Sequence, residues 1–210
     1  MAGDILNEGV ERYLEELVPP GDAIVTEMEA LAKRDSHPIV GPVVARLLAL
    51  MTQILDAKRI FEFGSAIGYS TLCFARAAGP GAEVHYTDNN PENAARAKEF
   101  ITRAGVISRV QFHVGDALKS FRQTRGGFDL IFCDLDKKQY PAAFRLAFPR
   151  LRHGGLFIAD NTLWRGTVAH ESEEEPTRTI RKFNRMIYAS KELLPVIVPL
   201  RDGVTICRKR

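Results

Sequence analysis

Apolar positions along the chain follow two different spacings. Through the first 57 residues they recur every three or four positions, the spacing of a helix face. Leu6, Val10, Tyr13, Leu14 and Leu17 form one stripe before Pro19-Pro20-Gly21, and Ile24, Met28, Leu31 and Ala32 form a second before His37-Pro38. A third runs through Val43, Val44, Leu47, Leu48, Met51, Ile54 and Leu55. From Lys58 the pattern changes to short apolar runs at Arg59–Phe63, Glu83–Thr87, Val110–His113, Asp129–Cys133 and Gly155–Asp160, with amphipathic windows between them. Parallel neighbours need a crossover helix, so this alternation predicts a parallel sheet covered on both faces. Two last runs, Pro195–Leu200 and Val204–Arg208, are separated only by Arg201-Asp202-Gly203, and a tight Asp-Gly turn joins antiparallel neighbours.

The expected fold is α/β: an open, Rossmann-like, doubly wound sheet of seven strands, five parallel and then an antiparallel hairpin, with extra helices in front. A length of 210 residues suits one domain, with residues 1–57 as a helical layer and 58–210 as the sheet core. Apolar residues make up 45% and the net charge is only +3, which excludes an unfolded chain. Acids from Asp4 onward leave no signal-peptide pattern, and Arg46 interrupts the most apolar window. A soluble, cytoplasmic protein without a membrane partner is expected. Cys73, Cys133 and Cys207 are too scattered for a disulfide framework or a metal motif, and the five histidines lack zinc-site spacing.

In open α/β sheets, ligands bind beyond the carboxyl ends of the strands. A dinucleotide domain completes its sheet with parallel strands, whereas five parallel strands and an antiparallel hairpin resemble the ground plan of class I methyltransferases. The first strand leads into Glu62-Phe63-Gly64-Ser65-Ala66-Ile67-Gly68-Tyr69-Ser70, where Ala66 and Tyr69 stand at the second and third glycine positions of the pyrophosphate fingerprint. S-adenosylmethionine carries no phosphate and needs only a glycine turn near its amino-acid end and ribose; the same turn also serves as a plain strand-to-helix connection. Asp88, 24 residues after Gly64 and followed by Asn89, is placed to accept hydrogen bonds from a ribose diol, the alternative being that Asp88 or Asn90 caps the next helix. Asp116 is either an acceptor for an adenine amino group, with Ala117 against the ring, or a helix cap.

The fourth and fifth strands end at Asp134 and at Asp160-Asn161, which should meet at one sheet edge beside the cofactor. Two carboxylates and an amide form an all-oxygen set, the chemistry of Mg²⁺, Mn²⁺ or Ca²⁺. Two unpaired carboxylates also need a cation to offset their repulsion. Open positions on such an ion would accept the adjacent oxygens of a catechol.

Together, Glu62-x-Gly64-(x)3-Gly68-Tyr69-Ser70, Asp88, Gly115-Asp116-Ala117, Asp134-Leu-Asp136-Lys137-(x)2-Tyr140 and Asp160-Asn161-Thr162-Leu163-Trp164-x-Gly166 resemble the cation-dependent O-methyltransferases of the catechol and caffeoyl-coenzyme A type, across roughly residues 25 to 210. The closing Gly203-Val-Thr-Ile-Cys-Arg-Lys-Arg is similar to small bacterial members. The resemblance implies a divalent cation on Asp134, Asp160 and Asn161. It implies S-adenosylmethionine against Val40, Glu62, Gly64, Ser65, Tyr69, Ser70, Asp88, Asn89, Asp116, Ala117, Asp134 and Asp136. Lys137 takes the place of the general base, and a homodimer through the first helices is expected. Ala45-Arg46 replaces the Gly-Gln of many relatives, and Arg165 replaces an asparagine of plant caffeoyl-type enzymes, so the acceptor does not transfer directly. A basic helix face of Arg178, Arg181, Lys182 and Arg185 supports a second reading, methylation of 5-hydroxyuridine in transfer RNA. The acidic stretch Arg165–Thr177 is a candidate lid. A nicotinamide-dependent oxidoreductase is opposed by the absent middle glycine, the hairpin and the Asp-Asn pair.

Overall fold

The computed structural model describes residues 7–210. Three helices come first, α1 (Glu8–Leu17), α2 (Ala23–Asp35) and α3 (Gly41–Ile54). The core alternates β1 (Arg59–Phe63), α4 (Tyr69–Ala78), β2 (Glu83–Asp88), α5 (Pro91–Arg103), β3 (Val110–Val114), α6 (Ala117–Gln123), β4 (Phe128–Cys133), α7 (Tyr140–Ala147) and β5 (Leu151–Ala159). It closes with α8 (Glu175–Tyr188) and the hairpin β6 (Leu193–Val198) and β7 (Val204–Lys209). The seven strands lie in the order β3-β2-β1-β4-β5-β7-β6; the first five are parallel, and β7 runs antiparallel to both neighbours. The predicted sheet is therefore present. Leu6, assigned to the first stripe, lies outside the described residues.

Alternate residues of each strand face opposite layers. Ile60, Val84, Leu130 and Ile158 pack with Met28, Val44, Leu48, Leu72 and Phe100 from α2 to α5. Phe61, Phe63, Ile131 and Phe157 pack with Phe121, Phe144, Ile180 and Phe183 from α6 to α8. Of the N-terminal helices, α2 and α3 extend the face that α4 and α5 cover. The stripe on α1 stays largely uncovered, with Val10 48%, Tyr13 59% and Leu17 59% exposed. No helix among the described residues is long and apolar enough to cross a membrane.

Two sequence boundaries move for identifiable reasons. Strand β5 begins at Leu151, opposite Phe128, and its pairing with β4 then jumps to Leu156 opposite Leu130. The polar Arg152-His153-Gly154-Gly155 insert bulges outward, so periodicity detects only the strand beyond it. The hairpin is joined by the five residues between Val198 and Val204 rather than by a tight turn. There Leu200 N–H donates to Val198 O and Gly203 N–H to Leu200 O, making the loop its own scaffold.

Parallel pairing in register brings the strand ends level. Phe63 lies beside Cys133 and Cys133 beside Ala159, so the residues following each strand emerge together. Asp134 N–H donates to Phe63 O, and Asp160 N–H donates to Cys133 O, extending the ladder one step into the site. Chain order reverses between β1 and β4, the position where an open sheet leaves a crevice.

Candidate active site

A cavity of about 600 Å³ opens at this crevice. Val40, Gly64, Ser65, Tyr69, Ser70, Asp88, Asn89, Asp134, Asp136, Lys137, Asp160 and Asn161 line it, together with Pro38, Ile39, Ala66, Asn93, Leu135, Trp164 and Arg201. An adjoining hollow of about 230 Å³ shares Gly64, Asp88, Asn89, Asp134 and Asp136 and adds Asp116, Ala117 and Gln139. Of the sequence-derived candidates only Glu62 borders neither space. A further groove of about 340 Å³ lies behind Tyr69 among α2, α3 and α4, but the strand-end acids are absent from it.

The glycine turn is fixed by the backbone around it. Gly64 has φ +84° and a Cβ there would lie 2.5 Å from Asp134 O; Gly68 has φ +83° and a Cβ would lie 2.8 Å from that of Ala97. Both positive φ and close packing therefore require glycine. Glu62 holds the turn from beneath. Its fully buried carboxylate accepts from Ser65 Oγ at 2.7 Å and also from Ser70 Oγ and Thr71 Oγ1. Thr87 Oγ1 donates to Glu62 O at 2.7 Å, and Ser65 N–H donates to Thr87 O at 2.8 Å. Glu62 is thus placed to brace the turn rather than to reach into the cavity.

Burial pushes the Glu62 carboxyl up to about 7, against the three hydroxyls that favour its ionised form. An acid whose folded pKa exceeds its unfolded value binds an extra proton in the native state, so stability is full below about pH 4.5 and declines as pH rises through about 7. Glu62→Gln should therefore gain relative stability between pH 5 and pH 8, by up to about 3 kcal/mol at 1.36 kcal/mol per unit. Parallel pH-dependent denaturant curves for wild type and variant would rule this out.

On the cofactor side the alternatives left open by sequence separate. Asn90, not Asp88, caps α5, accepting from Glu92 N–H at 2.8 Å. Asp88 Oδ2 accepts from Ala66 N–H at 3.0 Å, and Oδ1 accepts from Asn90 N–H at 2.8 Å, which points the carboxylate at the cavity wall formed by the turn. Asp116 caps α6 through Lys119 N–H at 2.6 Å and lines the smaller hollow as well. Asp136 accepts from Lys138 N–H at 3.1 Å at the start of a short helical turn.

On the chemistry side, Asp134, Asp160 and Asn161 converge as expected. Asp160 is 2% exposed, and its carboxyl is pushed up to about 7, first by burial and then by the Asp134 charge. Asn161 adopts φ +55° and donates its N–H to Asp160 Oδ1 at 2.9 Å. Lys137 lies between them: Nζ donates to Asp134 Oδ1 at 3.0 Å, Asn161 Oδ1 at 2.7 Å and Tyr140 Oη at 2.6 Å. All three ammonium donors have partners. Tyr140, fully buried, donates in turn to Asp160 O at 2.9 Å. No group of three or more His, Cys, Asp or Glu side chains among the described residues is arranged to hold a metal ion by itself. The oxygen groups gathered at the strand ends are two carboxylates and an amide, and an ammonium already sits against two of them. A cation-seeking oxygen set is the donor chemistry that a divalent metal requires.

Pro38, Ile39 and Arg201 were not legible as site residues, because they reach the cavity from the α2–α3 linker and the β6–β7 loop. The basic face of α8 is partly consumed by structure. Arg181 donates to Val168 O and Thr167 O, and Arg178 lies 3.4 Å from Glu173. The expected lid is tethered at both ends, with Arg165 N–H on Asp202 Oδ1 and Thr167 Oγ1 3.0 Å from Thr177 Oγ1.

Known proteins share this architecture and its sequence. The chain is 35% identical to the catechol O-methyltransferase of Niastella koreensis over 190 residues, 87% of this chain and 86% of the relative. It is 30% identical to caffeoyl-CoA O-methyltransferase 1 of Eucalyptus globulus over 176 residues, 78% of this chain and 72% of the relative. Its fold superposes with a TM-score of 0.87 on the crystal structure of the O-methyltransferase from Bacillus cereus in complex with SAH, at 29% identity, covering 96% of this chain and 97% of the other. The sequence model of the O-methyltransferase family matches residues 23–210, from the first residue of α2 through the antiparallel hairpin. With that span matched and its strand ends gathered at one crevice, the chain belongs to the O-methyltransferase family and is an S-adenosylmethionine-dependent enzyme.

Proposed function

We propose that the protein methylates one hydroxyl of a vicinal diphenol, a catechol or caffeoyl-type small molecule, with the aid of a divalent cation. The observation that carries this reading is the Asp134, Asp160 and Asn161 oxygen set with Lys137 Nζ within hydrogen-bond reach of two members. The names of the two sequence relatives, one a catechol and one a caffeoyl-CoA enzyme, support the same acceptor class.

The residues divide the work as follows. Asp88, Asn89, Asp116 and Ala117 would hold the nucleoside of S-adenosylmethionine, and Val40, Gly64, Ser65, Tyr69 and Ser70 its amino-acid end, with Asp134 and Asp136 between. When bound, S-adenosylmethionine supplies a methyl group already activated on sulfur. Asp134, Asp160 and Asn161 would hold Mg²⁺, Mn²⁺ or Ca²⁺, whose charge favours ionisation of a neighbouring hydroxyl. Lys137, held by Tyr140, is placed to take the proton in its neutral amine form, which has a free lone pair on Nζ. Holding acceptor and donor in one orientation can supply about 7 to 11 kcal/mol of the barrier. Trp164, on the cavity wall, offers an aromatic face to a flat acceptor.

The test is a panel of catechol, caffeate esters and unmodified transfer RNA, assayed with labelled S-adenosylmethionine and Mg²⁺. Transfer of label to the diphenols is expected. Labelling of transfer RNA alone would replace this reading with the nucleic-acid one, whose support on α8 shrinks to Lys182 and Arg185 once Arg178 and Arg181 are spent on their neighbours. Asp88→Ala should weaken S-adenosylmethionine binding by about 1 to 3 kcal/mol, since a buried diol loses its acceptor. Calorimetry that finds wild-type affinity in this variant would move the ribose elsewhere. A homodimer is part of the proposal, with exposed Val10, Tyr13 and Leu17 as the contact; sedimentation of a Tyr13→Asp variant should shift toward monomer.

A further inference from the structure

Among the described residues that line the main cavity, two are cations, Lys137 and Arg201. Lys137 is fully engaged within the oxygen cluster. Arg201 is held differently. It stands in the β6–β7 loop with φ +47°, a left-handed conformation that a long side chain adopts only when its surroundings impose it. Nη1 donates to Ile39 O at 3.1 Å and to Val40 O. The guanidinium lies over Gly41, where a Cβ would come within 3.4 Å of Nη1, 3.6 Å of Cζ and 3.7 Å of Nε.

Those two bonds use one of its three nitrogens. Among the described residues Arg201 forms no ion pair, although its charge reaches Asp160 and Asp202 closely enough to favour their ionised forms. Its neighbours in the loop are equally constrained: Leu163 N–H donates to Asp202 O, Thr162 N–H donates to Gly203 O, and Arg165 N–H donates to Asp202 Oδ1. The loop therefore fixes a guanidinium with unspent donors between the α2–α3 linker and the Asp160-Asn161 strand end. A planar fork in a sheltered cleft matches a carboxylate.

We propose that Arg201 is a carboxylate-binding residue of this cavity, a role that neither the motifs nor the family match assigns. The carboxylate has two candidate sources, the amino-acid end of the cofactor or an acid group on the acceptor. The second source rests on the diphenol reading above; the first does not.

The experiment titrates S-adenosylhomocysteine and 5′-methylthioadenosine, which lacks the amino-acid moiety, into the full chain by calorimetry. A parallel assay with Mg²⁺ compares kcat/KM for 3,4-dihydroxybenzoate and its methyl ester. Loss of a charge-assisted hydrogen bond corresponds to about a ten- to hundredfold effect. If the cofactor is the source, Arg201→Gln weakens S-adenosylhomocysteine by that factor and leaves 5′-methylthioadenosine unchanged. If the acceptor is the source, both nucleosides bind as before and the preference for acid over ester falls by that factor. Equal weakening of both nucleosides would make Arg201 a structural clamp on Ile39 and Val40 and overturn the proposal, as would no change in any measurement. Arg201→Gly, which relieves the positive φ, serves as the second variant should the glutamine form fold poorly. Failure of every diphenol to be methylated would refute the acceptor reading while leaving the nucleoside comparison decisive.

Discussion

Lys137→Ala is expected to lower kcat by about 10² to 10⁴, the range for loss of a positioned proton acceptor. The side chain is only 9% exposed, and its three donors meet Asp134, Asn161 and Tyr140, so it cannot be read as a solvated surface lysine. An ordinary exposed ion pair contributes about 0 to 1 kcal/mol and nothing to chemistry. Geometry adds a second consequence. Because Nζ already bonds two of the oxygen groups proposed for the metal, ammonium and metal compete for Asp134 and Asn161. The alanine variant should accordingly bind Mg²⁺ more tightly than wild type, even while turnover falls. Lys137→Arg separates the two effects, since guanidinium keeps the charge but does not accept a proton. Wild-type kcat in Lys137→Ala at neutral pH would remove the residue from the mechanism.

Asp160→Ala, like chelation of wild type, is expected to reduce turnover by at least about a thousandfold, the equivalent of several kcal/mol of charge stabilisation at 1.36 kcal/mol per tenfold. Mg²⁺ should restore the chelated wild type but not the variant. The fold should survive, because Asp160 follows the last residue of β5 and its carboxylate costs free energy through burial and repulsion from Asp134. Asp160→Asn keeps an acceptor for Asn161 N–H and controls for local collapse. Thermal melts that show Asp160→Ala folded but indifferent to Mg²⁺, beside a wild type stabilised by it, would tie the loss to the cation. Full wild-type turnover in excess chelator would refute metal dependence.

Much of this was legible in the order of residues. Strand and helix alternation from Arg59 onward determined the layering, since short apolar runs buried on both faces have no other stable partner than crossover helices. The single Asp-Gly between two apolar runs determined the antiparallel ending, although the loop is longer than that dipeptide suggested. Strand-end acids at 88, 134 and 160 were readable because parallel strands expose their carboxyl ends on one edge, whatever the detailed packing. Tertiary structure alone decided how each acid is used. Asp88 and Asn90 are equally good caps by type, and only the turn at Ala66, brought over by parallel pairing of β1 and β2, turned Asp88 toward the cavity. The family resemblance implies Glu62 as a cofactor contact, yet the hydroxyls of Ser65 in the turn and of Ser70 and Thr71 in the next helix engage its carboxylate. Arg201 carried no signal, because contacts spanning more than 160 residues, from its guanidinium to Ile39 and Val40, depend on how the hairpin and the α2–α3 linker meet across the sheet. Local pattern sets which elements form; the meeting of distant loops is set by packing, which no window of sequence contains.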